Sequence, residues 1–427
     1  MKRSYLILII FSSLFFSWQK PKQKKADDKT PNIVLILADD LGYSDLGCFG
    51  SEIATPNIDS LAMHGQIFTN FYTEAACSPS RSMLLTGTDN HIAGLGDMAE
   101  HVPAIPNEIG KPGYEGFLNN KVICVAQLLK DAGYHTYISG KWHLGLTPDE
   151  SPTAKGFERS YALLDAYSNH FIPDKRESRF WEDGNYVNYS DGQYSTDLYT
   201  DKMISFIKKD HGDKKPFFLY AAYTSPHWPL QVPPEFIEKY HGKYDIGYDS
   251  LRSYRFNGLK KKGIVAKAVV LPPLPSVKGD LYNISNEPLL RWNSIDKNEQ
   301  KIEARKMEIY AGMVSNLDYN IGRLIQYLKD IGEYDNTLFL FLSDNGPSSA
   351  DINATPDKLN PYAFMGTANS FVAYGSQWAH ASSAVNSLYK GYSAEGGIHS
   401  PMIIKMPYQN KGNGIDTAFS TIMDMAP

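Results

Sequence analysis

Residues 32–40 read NIVLILADD, an almost unbroken apolar run that ends on two aspartates. A strand with one wet face alternates apolar and polar residues. This one does not, so both of its faces need cover, as in a parallel sheet sandwiched by helices. Similar strands with their exit loops recur in QIFTNFYT (66–73), HTYISGKWHLG (135–145), PFFLYAAYTSPHWP (216–229), NTLFLFLSDNG (336–346) and SPMIIKMP (400–407). Segments of helical period separate them. TPNIDSLAMHG (55–65) carries Thr55 as N-cap, Pro56 at the first helical position and Gly65 as the stop. SRSMLLTG (80–87) reads as a short helix, VICVAQLLKDAGY (122–134) as a helix closed by Gly133, STDLYTDKMISFIKKD (195–210) as a helix, and residues 298–331 as one long amphipathic helix. This alternation predicts an α/β fold with a large mixed, mainly parallel sheet between helices. Residues 240–298, irregular and rich in Tyr and Pro, read as an insertion, and STIMDMAP (420–427) reads as the start of a further helix.

The chain has 427 residues, 42% hydrophobic, enough for a large core. Lys and Arg number 42 against 47 Asp and Glu, and the formal net charge is -5, which argues against nucleic acid as a partner. Lys2 and Arg3 precede an apolar run over 5–18, the order of a secretory signal, so residues 1–18 predict export as a cleaved signal or as an uncleaved membrane anchor, with a periplasmic or secreted location. A polar linker over 19–31 leads into one catalytic domain from 32 to 427. Three cysteines, Cys48, Cys77 and Cys124, allow at most one disulfide and one free thiol.

Ligands gather at the carboxyl ends of parallel strands. Four of the strands above end in Asp39-Asp40, Lys141-Trp142-His143, Ser225-Pro226-His227 and Asp344-Asn345. The acids and the amide offer oxygen donors, which suit a hard divalent cation, calcium first and magnesium second. Lys141, His143, His227, Arg81 and Lys390 bring donors and positive charge for an anion beside that cation. Together they describe a site for hydrolysing a phosphate or sulfate ester.

The segment ACSPSRSMLLTG (76–87) resembles the signature of the type I sulfatases of the alkaline-phosphatase superfamily, Cys-x-Pro-Ser/Ala-Arg followed by Thr-Gly. ADDLG, GKWHLG, SPHWP, SDNG and EGG follow in the family's order, and TPNIDSLA, TGTDNHIAGLGDMAE and GKPGYEGFLN are similar to bacterial arylsulfatases. The resemblance implies an alkaline-phosphatase-like fold whose usual small C-terminal antiparallel-sheet subdomain is missing from this sequence. It also implies that a formylglycine-generating or equivalent maturation enzyme converts Cys77 to formylglycine. The hydrated aldehyde then acts as nucleophile, and its second hydroxyl lets sulfate be expelled without a second attack at sulfur. Asp39, Asp40, Asp344, Asn345 and the modified Cys77 would bind calcium. Arg81 would stabilise the hydrate, Ser80 would hold it and His143 would assist the elimination. Lys141 and Lys390 would grip the sulfate, and His227 or Lys390 would protonate the leaving alcohol. His399 stands where the family most often has arginine.

The implied substrates are small-molecule sulfate monoesters, aryl or alkyl, with the 240–298 insertion the place where a carbohydrate site would be shaped. Competing readings are a phosphonate monoester hydrolase or phosphodiesterase of the same superfamily, and an exported protein whose Cys77 remains an unmatured thiol.

Overall fold

In the computed structural model, which describes residues 29–173, 178–189, 192–275, 278–279, 289–354 and 361–426, the opening strand lies in the middle of a ten-stranded sheet. The signal or anchor at 1–18, and all but the last residues of the linker, fall outside the described residues. The strands are β1 (Asn32–Ala38), β2 (Gln66–Tyr72), β3 (His135–Lys141), β4 (Arg159–Leu163), β5 (Phe180–Glu182), β6 (Asn185–Val187), β7 (Phe217–Ala222) and β8 (Thr337–Ser343). β9 (Asn353–Ala354) and β10 (Phe371–Val372) form a separate antiparallel pair, and β11 (Met402–Lys405) and β12 (Gly414–Thr421) complete the large sheet. Its order is β12-β2-β11-β8-β1-β7-β3-β4-β5-β6. The central run β8-β1-β7-β3-β4 is parallel throughout, while β11, β5 and β6 pair antiparallel with their neighbours.

Burial on β1 explains its composition. Val34, Ile36 and Ala38 join the core on one face, with the helices Lys297–Asp330 and Ser195–Asp210. Leu35 and Leu37 join the core on the other, with helix α2 (Cys77–Thr86) and the short helix Val125–Asp131. Alternate side chains point to opposite faces, so a strand covered on both sides has no polar period to show.

Several expectations change. Helix α1 (Pro56–His64) starts at Pro56, but Thr55 does not cap it. Its hydroxyl is engaged with Gly47 N and Asp59, and the Asp318 carboxylate from the long helix accepts from Asn57 N and Ile58 N instead. Helix α2 begins earlier than expected, at Cys77, after Ala76 in an extended conformation. The insertion holds a regular helix, Gly247–Lys262, whose buried face includes Arg252 and Arg255, so apolar period is a poor guide to it. β4, β5, β6 and β12 carry no clear signal, and 414–425 is a strand followed by a 3-10 turn, not an α-helix. All three cysteines are free thiols.

Backbones approach most closely at Gly140, at φ +118°, where an added Cβ would lie 1.7 Å from the carbonyl oxygen of Ala222 on β7. Gly133 also has positive φ, +91°, but an added Cβ meets nothing within 4 Å. Gly133→Ala therefore carries only the left-handed backbone penalty of about 1 kcal/mol. Gly140→Ala adds separation of β3 from β7, and thermal unfolding should show it to be much the more damaging of the two.

At the other end of β3, His135 bridges Glu158 (2.9 Å) and Asp213 (2.8 Å). Burial lowers its pKa, but hydrogen bonds to Glu158 and Asp213 outweigh that and leave it raised. Its stabilising contribution is complete below the unfolded pKa of about 6.5 and is lost as pH rises through the higher folded value. Denaturant melts of parent and His135→Gln should differ most in mild acid and converge in alkali.

Candidate active site

Because β8, β1, β7 and β3 are adjacent and parallel, their carboxyl ends share one rim, with Ala38 opposite Ser343, and Leu37 and Gly140 both opposite Ala222. The residues immediately beyond form the site. Asp39 is fully buried and accepts from Lys141 Nζ at 2.9 and 3.1 Å. Asp40, at φ +63°, accepts from Lys390 Nζ at 2.7 and 3.0 Å and from Asn345 Nδ2 at 2.7 Å. Its own backbone N–H donates to Asp344 Oδ1 at 3.2 Å. Asp344 Oδ2 accepts from Arg81 Nε and Nη2 at 3.0 and 2.7 Å, and Arg81 Nη2 also lies 3.4 Å from Asp39 Oδ1.

Helix α2 supplies Cys77 and, one turn later, Arg81, on the same side of the helix. The Cys77 sulfur is 3.5 Å from Asp39 Oδ1, 3.8 Å from Asp40 Oδ1 and 3.0 Å from Lys390 Nζ. Burial pushes the thiol's pKa far up, against the pull of Lys141 and Lys390. Burial also opposes ionisation of Asp39, but Lys141, then His227 and Arg81, hold its carboxyl well below the usual range.

His227 leans over this cluster with Nε2 3.5 Å from Asp40 Oδ2. Its Nδ1 donates to the Trp228 carbonyl at 2.6 Å, which leaves Nε2 with a lone pair. Burial brings its pKa down to about 4. His143, at φ +55°, pairs through Nε2 with Glu100 at 3.1 Å. Glu100 is not legible in the sequence, because a turn carboxylate has no distinguishing spacing; only the distance shows it.

Among the described residues, Asp39, Asp40, Cys77 and His227 bring ligand atoms within 4.8 Å of one another. Asn345 Oδ1 is buried without a hydrogen-bond partner among the described residues. Crowded carboxylates and an orphaned amide oxygen fit a hard cation. His227 was not among the expected ligands, whereas Asp344 has one oxygen committed to Arg81. One other expectation does not fit. Ser80 Oγ is bonded to the Glu74 carbonyl and N–H, so its hydroxyl is committed to the turn before α2. His399 lies away from the cluster, bonded to the Thr69 carbonyl at 2.6 Å and stacked on Tyr72.

The site opens into a cavity of about 440 Å³ lined by Cys77, Lys141, His143, His227 and Lys390. A second cavity, of about 760 Å³, shares Glu100, His143, Ala166 and Tyr167 with it and continues past Leu146, Ile172 and Phe371. Neither is lined by residues 240–298, so the expected carbohydrate role of the insertion has no support in the described residues.

The sulfatase family model matches residues 31–427. An uncharacterised sulfatase of Schizosaccharomyces pombe is 43% identical over 426 residues, spanning 95% of this chain and 75% of its own length. An arylsulfatase of Klebsiella aerogenes is 37% identical over 417 residues, spanning 94% and 86%. The crystal structure of Ps i-CgsB in complex with k-i-k-neocarrahexaose superposes with a TM-score of 0.64 at 26% identity, covering 93% of this chain and 71% of that one.

Arg81 fixes Asp344 with two nitrogens and reaches Asp39 with one of them, a geometry that lysine cannot reproduce. Arg81→Ala leaves carboxylates buried without their counter-charge and should cost about 3–5 kcal/mol in urea melts. Arg81→Lys should recover only part of that, and adding Asp344→Asn to Arg81→Ala should recover more.

Proposed function

The chain belongs to the sulfatase family and is a sulfuric ester hydrolase, and we propose that it cleaves sulfate monoesters with a formylglycine made from Cys77, beside a calcium ion. The observation that carries this reading is Cys77 itself, buried at the start of α2 against Asp39 and Asp40 and within 3.0 Å of Lys390 Nζ. A hydrated aldehyde at that position would supply two hydroxyls on one carbon, one to displace at sulfur and one whose proton loss expels sulfate. A divalent cation held by Asp39, Asp40, Asn345 and position 77, with Asp344 and His227 alongside, would supply charge against the ester oxygens.

The remaining work falls to the chain's own side chains. Lys141 and Lys390 now neutralise Asp39 and Asp40. Three carboxylates face three cationic groups here, Arg81 being the third, so a dication leaves the site net positive and the lysines free to hold an anionic ester. The start of α2 adds the positive end of its dipole on the same side. His227 presents a lone pair, not a proton, so Lys390 is the donor to the departing alcohol oxygen.

The larger cavity takes that alcohol. Its wall is mainly apolar, with Leu146, Ile172, Tyr167 and Phe371, and its Arg179 is already paired with Asp165. Among the described residues of that wall a polyanionic saccharide finds few unpaired cations, whereas an aryl or alkyl group finds contact area. The export inferred from the N-terminal sequence would place the enzyme outside the cytoplasm, where it meets small sulfate esters supplied by the surroundings.

Peptide mass spectrometry on protein made with a maturation enzyme should show a loss of about 18 mass units at Cys77, the thiol-to-aldehyde change that the covalent mechanism needs. An unmodified thiol in fully active protein would defeat the reading. Chelation should remove activity, with calcium restoring it better than magnesium. kcat/KM should be higher for an aryl sulfate than for the matching aryl phosphate or for a polysulfated oligosaccharide.

A further inference from the structure

His143 is held in an unusual way. Its backbone is left-handed without being glycine, a conformation that a Cβ disfavours. The ring is 5% exposed. Nδ1 is buried and has no hydrogen-bond partner among the described residues, an unfavourable state for a buried polar atom. Trp142 anchors the turn before it, through its N–H to the Leu163 carbonyl and its indole N–H to the Glu150 carbonyl. The ring itself has one side-chain contact of this kind, Nε2 to Glu100 Oε2 at 3.1 Å.

A surface ion pair gives a poor account of this arrangement. Exposed pairs contribute little, and an imidazole with one buried nitrogen unpaired is worse than an apolar side chain unless a donor arrives from elsewhere. His143 lines both cavities, and Glu100 lines both beside it, so the pair stands at the junction of the nucleophile's cavity and the cavity for the alcohol. Because Glu100 is a carboxylate, it can only accept. Nε2 must therefore carry the hydrogen, and Nδ1 is left with the lone pair.

We propose that Glu100 is a positioning residue that fixes the tautomer and orientation of His143, so that its Nδ1 accepts a proton from the group formed at position 77. This rests on the function proposed above. Glu100 touches no reacting atom; it acts through the imidazole, steadying the imidazolium that appears when Nδ1 takes a proton, and the ring is neutral again once it gives the proton back. The charged groups around the ring are Glu100 from the turn at 97–101, Lys141 from the end of β3 and Arg81 from α2, and His101 stands beside Glu100. Burial lowers the His143 pKa, Glu100 opposes that, and Lys141 and Arg81 reinforce it. Glu100 is thus the one group in this set that favours protonation.

The test uses Glu100→Gln, Glu100→Ala and Glu100→Asp in the matured enzyme, with 4-nitrophenyl sulfate as probe. Glu100→Gln should lower kcat about 10–100-fold, the usual effect of losing a partner that orients an active-site imidazole, with KM changed less than about threefold. Its acidic pH limb should move to lower pH, because His143 loses the neighbouring negative charge. Glu100→Ala should behave like Glu100→Gln, and Glu100→Asp should restore part of kcat and of the limb. A Glu100→Gln enzyme with parental kcat and profile overturns the proposal, as does one whose kcat falls only in step with its melting temperature while the limb stays in place. A second measurement separates this from the proposed function. In unmatured protein labelled with 15N-histidine, the His143 ring should titrate at lower pH in Glu100→Gln than in the parent. An unchanged His143 titration overturns the positioning role even if the parent hydrolyses sulfate esters, and a shifted one supports it even if the parent does not.

Discussion

Six charged side chains of both signs lie out of water at one edge of the sheet, and the architecture around them is arranged so that each finds its opposite. Asp39 has Lys141, Asp40 has Lys390 and Asp344 has Arg81. Any one of these groups alone would carry a desolvation penalty of several kcal/mol. The pairs form only if β8, β1, β7 and β3 end at the same level and in that order, since β1 is followed by Asp39 and Asp40, β3 ends in Lys141 and β8 is followed by Asp344. Strand order and charge pairing therefore specify each other. The close approach at Gly140 belongs to the same constraint, because any side chain there would push β3, and Lys141 with it, away from β7 and β1.

The balance of these charges also suits them to the proposed chemistry. A site with three acids and no bases would bind a cation tightly and repel an anionic ester. A site with three bases and no acids would bind sulfate, product included, without a metal to act on it. Interleaving the two keeps the empty site near neutrality and makes it attractive to an anion only once a cation is present. Fold stability and substrate affinity then draw on the same side chains, which is why Arg81 belongs to both accounts.

Most of the central sheet is legible in the sequence for a plain reason: strands buried on both faces are long apolar runs, and their ends are marked by abrupt polar residues. Asp39, Lys141, His227 and Asp344 are found by reading where those runs stop. The signal fails where burial is achieved by polar groups. Helix Gly247–Lys262 buries Arg255, whose charge is met by Asp45 and Glu52, so its inner face does not look apolar. Thr55 has the right identity and place for an N-cap, yet Asp318, 261 residues away from Asn57, takes the role. Glu100 is equally opaque, for its meaning lies in a distance to His143 and not in any neighbour along the chain.

Two non-glycine residues of the site, Asp40 and His143, adopt left-handed backbone, each just past the end of a parallel strand. Such a residue turns its side chain out of the line of the strand and over the rim, a direction that ordinary extended backbone would not give. The two are secured very differently. Asp40 is held by Lys390, Asn345 and its own N–H to Asp344, a redundant set that no single substitution undoes. The His143 ring depends on one carboxylate that is itself 42% exposed. The side of the rim at the acid cluster is thereby built to stay fixed, while the side facing the larger cavity has an imidazole whose hydrogen-bonding state is set by a single partner. A single substitution should therefore disturb the placing of Asp40 less than that of the His143 ring.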